Sequence, residues 1–266
     1  MYGLDSESDP SIDWGKTAAD YARHRPGPPS SYYARLTALN IGLPGQRLLD
    51  LGTGTGVVAR QMAAQGCEVV ASDIAAESVV VAAELAKADN LQIEFQVAAA
   101  EDTEVAPQSI DVVTANQCFL YFDVERVLTK LQQWLKPNGV LVISHFSWLP
   151  HVDAIAEASE GLILQHNPNW QGAGYNGQTQ PRYPGLTKQM HYSGYFYYDE
   201  PVPFSRDSWL GRIRASRGIG ATLSPDQVAA FNTEHQRLLE EIAEPEFTVT
   251  HRIDAHVLRM GRVETG

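Results

Sequence analysis

Cysteine is scarce in this chain: Cys67 and Cys118 are the only two among 266 residues. Their separation matches no metal-ligand spacing. Both sit in or beside apolar runs, which fits small buried hydrophobes. Basic residues are also in deficit, with 20 Lys and Arg against 32 Asp and Glu and a formal net charge of −12. A chain of that sign has no global attraction for phosphate backbones or anionic lipid heads, so nucleic-acid binding is disfavoured unless a local basic patch supplies it. No window approaches the ~18 consecutive apolar residues of a membrane span, and Met1 to Pro10 is acidic and polar, unlike a signal peptide. Repeats and low-complexity tracts are missing too. What is present, at 44% hydrophobic and 20% charged, is the composition of a globular protein, expected to be soluble and cytoplasmic. Its length suits one α/β domain with an elaborated cap, or two small domains.

Periodicity organises the middle of the chain. Short apolar runs at Arg47–Leu51, Glu68–Ser72, Leu91–Val97, Ile110–Ala115 and Val140–His145 predict strands. Helical periods lie between them, at about Gly56–Ala64, Glu77–Ala88 and Val124–Leu135. In the last, Val124, Val127, Leu128, Leu131, Trp134 and Leu135 share one face, Asp123 suits the N-cap, and Pro137-Asn138-Gly139 is the expected stop. Near-continuous apolar strands alternating with helices predict a doubly wound α/β sheet covered on both faces.

The flanks read differently. Trp14, Ala18 and Tyr21 share a helical face. Pro26-Gly27-Pro28-Pro29 then breaks the chain before a helix expected over 31–39, so the arm reads as a hinged cap. Beyond Pro150 a helix is expected over 152–165. The stretch 167–192 is rich in Gly, Pro, Asn and Gln, with Trp170, Tyr175, Tyr183 and Tyr192 scattered through it. Tyr195–Tyr198 has strand character, and Glu246–Met260 reads as an alternating strand. Ser224-Pro225-Asp226-Gln227 has the signature of a capping box opening a helix, whose apolar face is Val228, Phe231, Leu238, Leu239 and Ile242. The expected division is an arm over 1–35, a core over 36–148, a cap over 149–245 and a closing strand over 246–266.

The informative segment is Asp50-Leu51-Gly52-Thr53-Gly54-Thr55-Gly56-Val57, a buried strand ending in an acid and followed by three alternate glycines. Glycine admits positive φ and lets a ligand approach backbone without a Cβ in the way. A turn of this kind at the carboxyl edge of a parallel sheet is the usual ligand crevice, although glycine turns also serve packing alone. A phosphate-gripping P-loop is excluded because no Gly-Lys-Ser/Thr follows. A dinucleotide site prefers G-x-G-x-x-G, yet position 57 is Val, and the acid before the first glycine gives a pyrophosphate little. S-adenosylmethionine carries a sulfonium and an ammonium and no phosphate, so the acid is tolerable there. Asp73 at the end of the second strand can accept hydrogen bonds from both hydroxyls of a ribose. It could equally cap the helix that follows.

These residues resemble motif I of class I S-adenosylmethionine-dependent methyltransferases. The resemblance extends to Ala100-Glu101-Asp102 after strand three, to Asp111–Ala115 with Asn116-Gln117 after strand four, and to Leu135-Lys136-Pro137-Asn138-Gly139-Val140-Leu141. Ala19-Asp20-Tyr21 with Arg25-Pro26, and Gln117-Cys118-Phe119-Leu120-Tyr121-Phe122-Asp123, are similar to segments of the small-molecule branch, of ubiquinone-biosynthesis and trans-aconitate type. Together they cover residues 14–147. The resemblance implies a Rossmann-like seven-stranded sheet with a helical cap, and S-adenosyl-L-methionine as cofactor. It implies cofactor contacts at Tyr21, Arg25, Asp50, Gly52, Thr53, Gly54, Asp73, Ile74, Ala100, Glu101, Asp102, Asn116 and Gln117. Gly52 and Gly54 would meet the methionine and ribose parts, Asp73 the ribose and Ile74 the adenine face. Glu101 or Asp102 would lie near the adenine amino group, and Asn116 and Gln117 near the methionine end. Tyr21 and Arg25 would close over the site, with helix packing and a surface charge as their plainer readings.

The expected reaction is in-line displacement at a methyl carbon, moving it to a small-molecule acceptor such as a carboxylate or hydroxyl. A base is needed only if the acceptor enters protonated. His145, at the end of strand five, is the best placed of His24, His145, His151 and His191, and Tyr121 is comparable; a structural role is the plainer reading for each. The Asn/Asp-Pro-Pro-aromatic segment of exocyclic-amine methyltransferases is replaced by Asn116-Gln117-Cys118-Phe119, which disfavours that chemistry. Arg206, Arg212, Arg214 and Arg217 read either as a solvated helix face or as a clamp for an anion. The aromatics of 170–209 read as cap core or as substrate lining. The competing functions are an NAD(P)-dependent oxidoreductase and a non-catalytic S-adenosylmethionine binder. Asp73→Ala is expected to weaken the cofactor with little change in stability.

Overall fold

In the computed structural model, which describes residues 27–179, 186 and 189–260, the first described element is helix α1 (Ser30–Ala38). The glycine segment is framed by β1 (Arg47–Leu51) and α2 (Val57–Ala64), followed by β2 (Glu68–Asp73), α3 (Ala76–Ala88), β3 (Ile93–Val97) and β4 (Ile110–Asn116). Then come α4 (Val124–Trp134), β5 (Leu135–Trp148), α5 (Ala154–His166), β6 (Met190–Ser205), α6 (Arg206–Arg214), α7 (Pro225–Ile242) and β7 (Glu246–Met260). The strands form one mixed seven-stranded sheet in the order β3-β2-β1-β4-β5-β7-β6. β1 sits between β2 and β4, parallel to both, and Leu48, Leu49 and Leu51 are fully buried because both faces are covered. The doubly wound α/β expectation is met. No helix among the described residues is long and apolar enough to cross a membrane.

The differences from expectation have local causes. α4 is capped by Asp123, whose carboxylate accepts from the N–H groups of Glu125 and Arg126, and it buries Val127, Leu128, Leu131 and Trp134. It ends at Trp134, ahead of the expected stop. Lys136 precedes a proline and is driven to extended backbone, so Pro137-Asn138-Gly139 falls inside β5. The extra residues are taken up where Ile110 pairs with Leu135 but Val112 pairs with Val140. β6 is much longer than Tyr195–Tyr198 and carries Pro201 and Pro203, which an end strand of a sheet tolerates. α7 has its expected capping box at Ser224 and Gln227. Its face differs from expectation, for His235 is fully buried and Ile242 is 40% exposed. The histidine is admitted because its Nε2 meets Ser159 Oγ at 3.0 Å.

By contact the chain separates into two units. The larger holds Gly27–Phe146, Thr179–Tyr197 and Asp254–Gly266, and the smaller holds Ser147–Gln178 and Tyr198–Ile253. In the larger, Leu49, Leu51, Val113, Ala115, Leu141 and Ile143 form the centre of a core that α4 covers. In the smaller, Trp148 and Phe204 each meet Trp209 edge-on, at 5.7 and 4.8 Å between ring centroids. These aromatics are core. The solvated-face reading of the arginine run fails at Arg212, which is 5% exposed and holds its guanidinium carbon 4.7 Å from the centre of the Trp148 ring.

Candidate cofactor site and its histidine

The carboxyl ends of β1, β2 and β4 meet at the glycine turn. Asp50 is buried in the middle of it. One of its oxygens accepts from Thr53 Oγ1 and the other from Thr114 Oγ1, both at 2.6 Å. Burial pushes its carboxyl up to about 6 against the pull of those two hydroxyls. Asp50 therefore braces the turn against β4. Gly52 and Gly54 take φ of +62° and +56°, the left-handed region that favours glycine. At Gly52 a Cβ would lie 2.7 Å from Cys118 Sγ, and that thiol donates to the Leu51 carbonyl. At Gly54 a Cβ would meet nothing within 4 Å. One glycine is required by packing, the other stands before open space.

Asp73 accepts from Gly54 N–H at 2.7 Å and from Ala75 N–H at 2.9 Å, one on each oxygen. Burial raises its carboxyl, while backbone donors lower it. The capping alternative is not realised, since Ala75 is the N-cap of α3 and no side chain caps that helix. Next to Asp73, Ile74 is 69% exposed. Val97, the register partner of Asp73 on β3, is exposed as well. Two apolar side chains thus stand in solvent at neighbouring strand ends.

The remaining residues divide. Glu101 is buried and its carboxylate accepts from Asp123 N–H at 2.6 Å, fixing the start of α4. Asp102 is at the surface in an ion pair with Arg126, and Ala100 is buried in the core. Asn116 follows Ala115, which is paired with Leu51, so it stands beside the glycine turn. Its Nδ2 is buried with no hydrogen-bond partner, and so is the hydroxyl of Thr55. Gln117, at φ +66°, donates its N–H to Ser144 O at 2.9 Å and its side-chain amide to Phe146 O. Its donors therefore serve β5. Tyr21 and Arg25 lie outside the described residues, as does the helix expected around Trp14.

His145 sits between the two carbonyls that Gln117 engages. Its Nδ1 is 2.9 Å from Asp254 Oδ1, and His256 Nε2 is 3.5 Å from the same oxygen. Asp254 is 2% exposed and His145 partly exposed. Burial pushes the Asp254 carboxyl up, but hydrogen bonds from both histidines and their attraction outweigh it, and the net displacement is downward. The sequence reading singled out His145 and missed its partners. No local signal links them to it: Asp254 and His256 occupy i and i+2 in β7, and Asp254 lies 109 residues from His145. Tyr121 stands exposed on the short 3₁₀ turn Phe119–Tyr121.

Residues 49–143, from β1 into β5, match the family model described as a methyltransferase domain. Among solved structures, the chain is similar to a proposed type II methyltransferase of Anaeromyxobacter dehalogenans, with 23% identity, 88% of this chain and 97% of that one covered, and a TM-score of 0.59. It is similar to a proposed sarcosine dimethylglycine methyltransferase of Galdieria sulphuraria, with 18% identity, coverage of 86% and 84%, and a TM-score of 0.52. A phosphoethanolamine N-methyltransferase of Haemonchus contortus, solved with phosphomonomethylethanolamine and S-adenosylhomocysteine, shares 20% identity over 91% of this chain and 56% of that one, at a TM-score of 0.52. At such identities the likeness is one of fold. No curated protein sequence gave a significant match.

Proposed function

We propose that this S-adenosylmethionine-dependent methyltransferase holds its cofactor over the Gly52–Gly54 turn and methylates a small-molecule acceptor, with His145 as base. The observation that carries the cofactor seat is the open space at Gly54, near which β4 ends in an amide donor without a partner. An unpaired buried polar group costs about 1–3 kcal/mol, which a ligand acceptor at Asn116 Nδ2 would recover. Each Asp73 oxygen uses one acceptor site on backbone, leaving capacity for the two hydroxyls of a ribose. Exposed Ile74 and Val97 offer apolar contact to an adenine face. Glu101 and Asp102, already engaged with Asp123 and Arg126, keep only spare acceptor capacity for the adenine amino group.

When bound, the cofactor supplies a methyl carbon activated by a sulfonium. The chain's own part is to orient and to move a proton. Asp254 accepts the Nδ1–H of His145, which fixes the tautomer and places the ring's basic lone pair on Nε2, the atom that would take an acceptor proton. That arrangement suits a hydroxyl or ammonium entering protonated. A carboxylate would not need it.

Calorimetric titration with S-adenosylmethionine, S-adenosylhomocysteine, NAD and NADP tests the cofactor seat. Micromolar binding of the first two alone is expected, and binding of NAD or NADP instead would overturn it. The earlier expectation for Asp73→Ala needs revision, because that side chain also ties Gly54 to Ala75, so its removal loosens the turn. Asp73→Asn keeps one acceptor and is the cleaner variant. A panel of hydroxyl, amine and carboxylate acceptors, read by release of S-adenosylhomocysteine, tests the acceptor class.

A further inference from the structure

We infer that the smaller unit contains a binding site for a small carboxylate, built on the guanidinium of Arg212 beside Trp148. Arg212 is 5% exposed. Its Nε is buried with no hydrogen-bond acceptor among the described residues. Burial lowers its pKa to about 10, so it is a cation at neutral pH. The Trp148 ring lies under its guanidinium face. Removing a guanidinium from water without an anion or hydrogen-bond acceptors is costly, and folded chains ordinarily pair such a group.

The neighbouring groups do not supply the pair. Arg206 donates to the Ala243 carbonyl, and Arg252 forks onto both oxygens of Asp199. These arginines are structural by their contacts. Glu160 is the buried acid close by, yet one of its oxygens accepts from Trp148 Nε1 at 2.6 Å and the other from Gly174 N–H at 2.7 Å. Burial raises its carboxyl, and no ion pair joins it to Arg212.

The chemistry of the missing partner follows. A guanidinium with one face on an indole keeps its N–H edges for a planar acceptor, and the fork of Nε and Nη matches two carboxylate oxygens. One buried positive charge is balanced by one negative charge. A phosphate dianion would bring a second, unbalanced charge in among Trp148, Trp209 and Glu160. The ligand is therefore a monocarboxylate with an apolar body.

The probe is sodium benzoate, titrated into the full chain and followed by tryptophan fluorescence and by melting temperature, with benzamide as the neutral isostere. Saturable binding of benzoate and none of benzamide is expected. Arg212→Met should weaken benzoate roughly ten- to a hundredfold while leaving S-adenosylmethionine affinity unchanged, which separates this site from the cofactor seat and shows that the variant is folded. Should Arg212→Met fail to fold, Arg212→Lys keeps the charge without the fork, and a weaker benzoate affinity in it supports the site. The inference is overturned if the wild-type chain responds to neither benzoate nor acetate. Undiminished benzoate binding in a folded Arg212→Met chain, or in Arg212→Lys where that variant is the one read, also overturns it.

Discussion

In the larger unit the buried carboxylates of Asp50, Glu101 and Asp254 each accept hydrogen bonds from the chain itself, whereas in the smaller unit buried Arg212 has no acceptor at Nε among the described residues and His235 reaches one hydroxyl through one nitrogen. The first pattern makes a framework. Asp50 holds the glycine turn, Glu101 the start of α4 and Asp254 the ring of His145. The second pattern stores cost, which a ligand or a change of pH can release. The two patterns ask for different tests.

The largest expected effect would break the first half of this contrast. His145→Ala should lower kcat roughly 10²–10⁴-fold with a hydroxyl acceptor, the usual worth of a positioned base. Cofactor affinity should stay the same. Asp254→Asn should lower kcat by less and leave KM nearly unchanged, because it disturbs how the imidazole is held rather than what the site binds. Full activity in both variants would mean that the buried His–Asp group only supports β7 and that the acceptor enters already ionised.

A second test sharpens the contrast through pH. His235 is held neutral by burial down to about 4, while in the unfolded chain it takes a proton near 6.5. Its contribution is complete above 6.5 and is lost as pH falls, by about 3 kcal/mol in total. Asp50 runs the other way. It keeps its proton in the fold up to about 6 but ionises near 3.8 when unfolded, so about 3 kcal/mol is present below 3.8 and lost as pH rises through 6. Hydrogen exchange at pH 5 and pH 7 should show α5 and α7 opening more easily at the lower pH, and β1 and β4 less easily. Glu160, raised by burial, works against His235 within the smaller unit, so the decisive reading is the flattened pH response of His235→Phe. An unchanged response in that variant would remove the histidine from the account.

What the sequence revealed, and what it hid, follows the same division. β1, the glycine turn and α2 were legible because each signal is local: an apolar run, three glycines and a helical period within a few residues. The capping box at Ser224 and the cap at Asp123 were legible for the same reason. The start of β5 was not, because the irregular pairing that admits Pro137 depends on Ile110 across the sheet. Asp254 lies 109 residues from the histidine it holds. Arg212 likewise lies against Trp148, a partner that no spacing rule connects to it. Residues that brace one another over such distances look individually like surface polars, and the sheet supplies the missing information.

The smallest expected effect separates two glycines of the same turn. Both hold φ near +60°, so an alanine at either is strained by about 1 kcal/mol. At Gly52 the new methyl group would also press on Cys118 Sγ and Cβ, at 2.7 and 2.8 Å. Those atoms lie beside the strand end that the thiol's hydrogen bond to Leu51 O secures, so Gly52→Ala should lose well over that amount. At Gly54 the methyl meets no protein atom, and Gly54→Ala should lose little beyond the strain itself. Thermal melts of the two variants measure this difference directly. Cofactor titration of Gly54→Ala then reads what fills the open space. A stable protein with sharply weakened S-adenosylmethionine binding identifies that space as the cofactor's seat, because the added carbon can only collide with a ligand. Unchanged affinity would return Gly54 to the role of a plain turn residue.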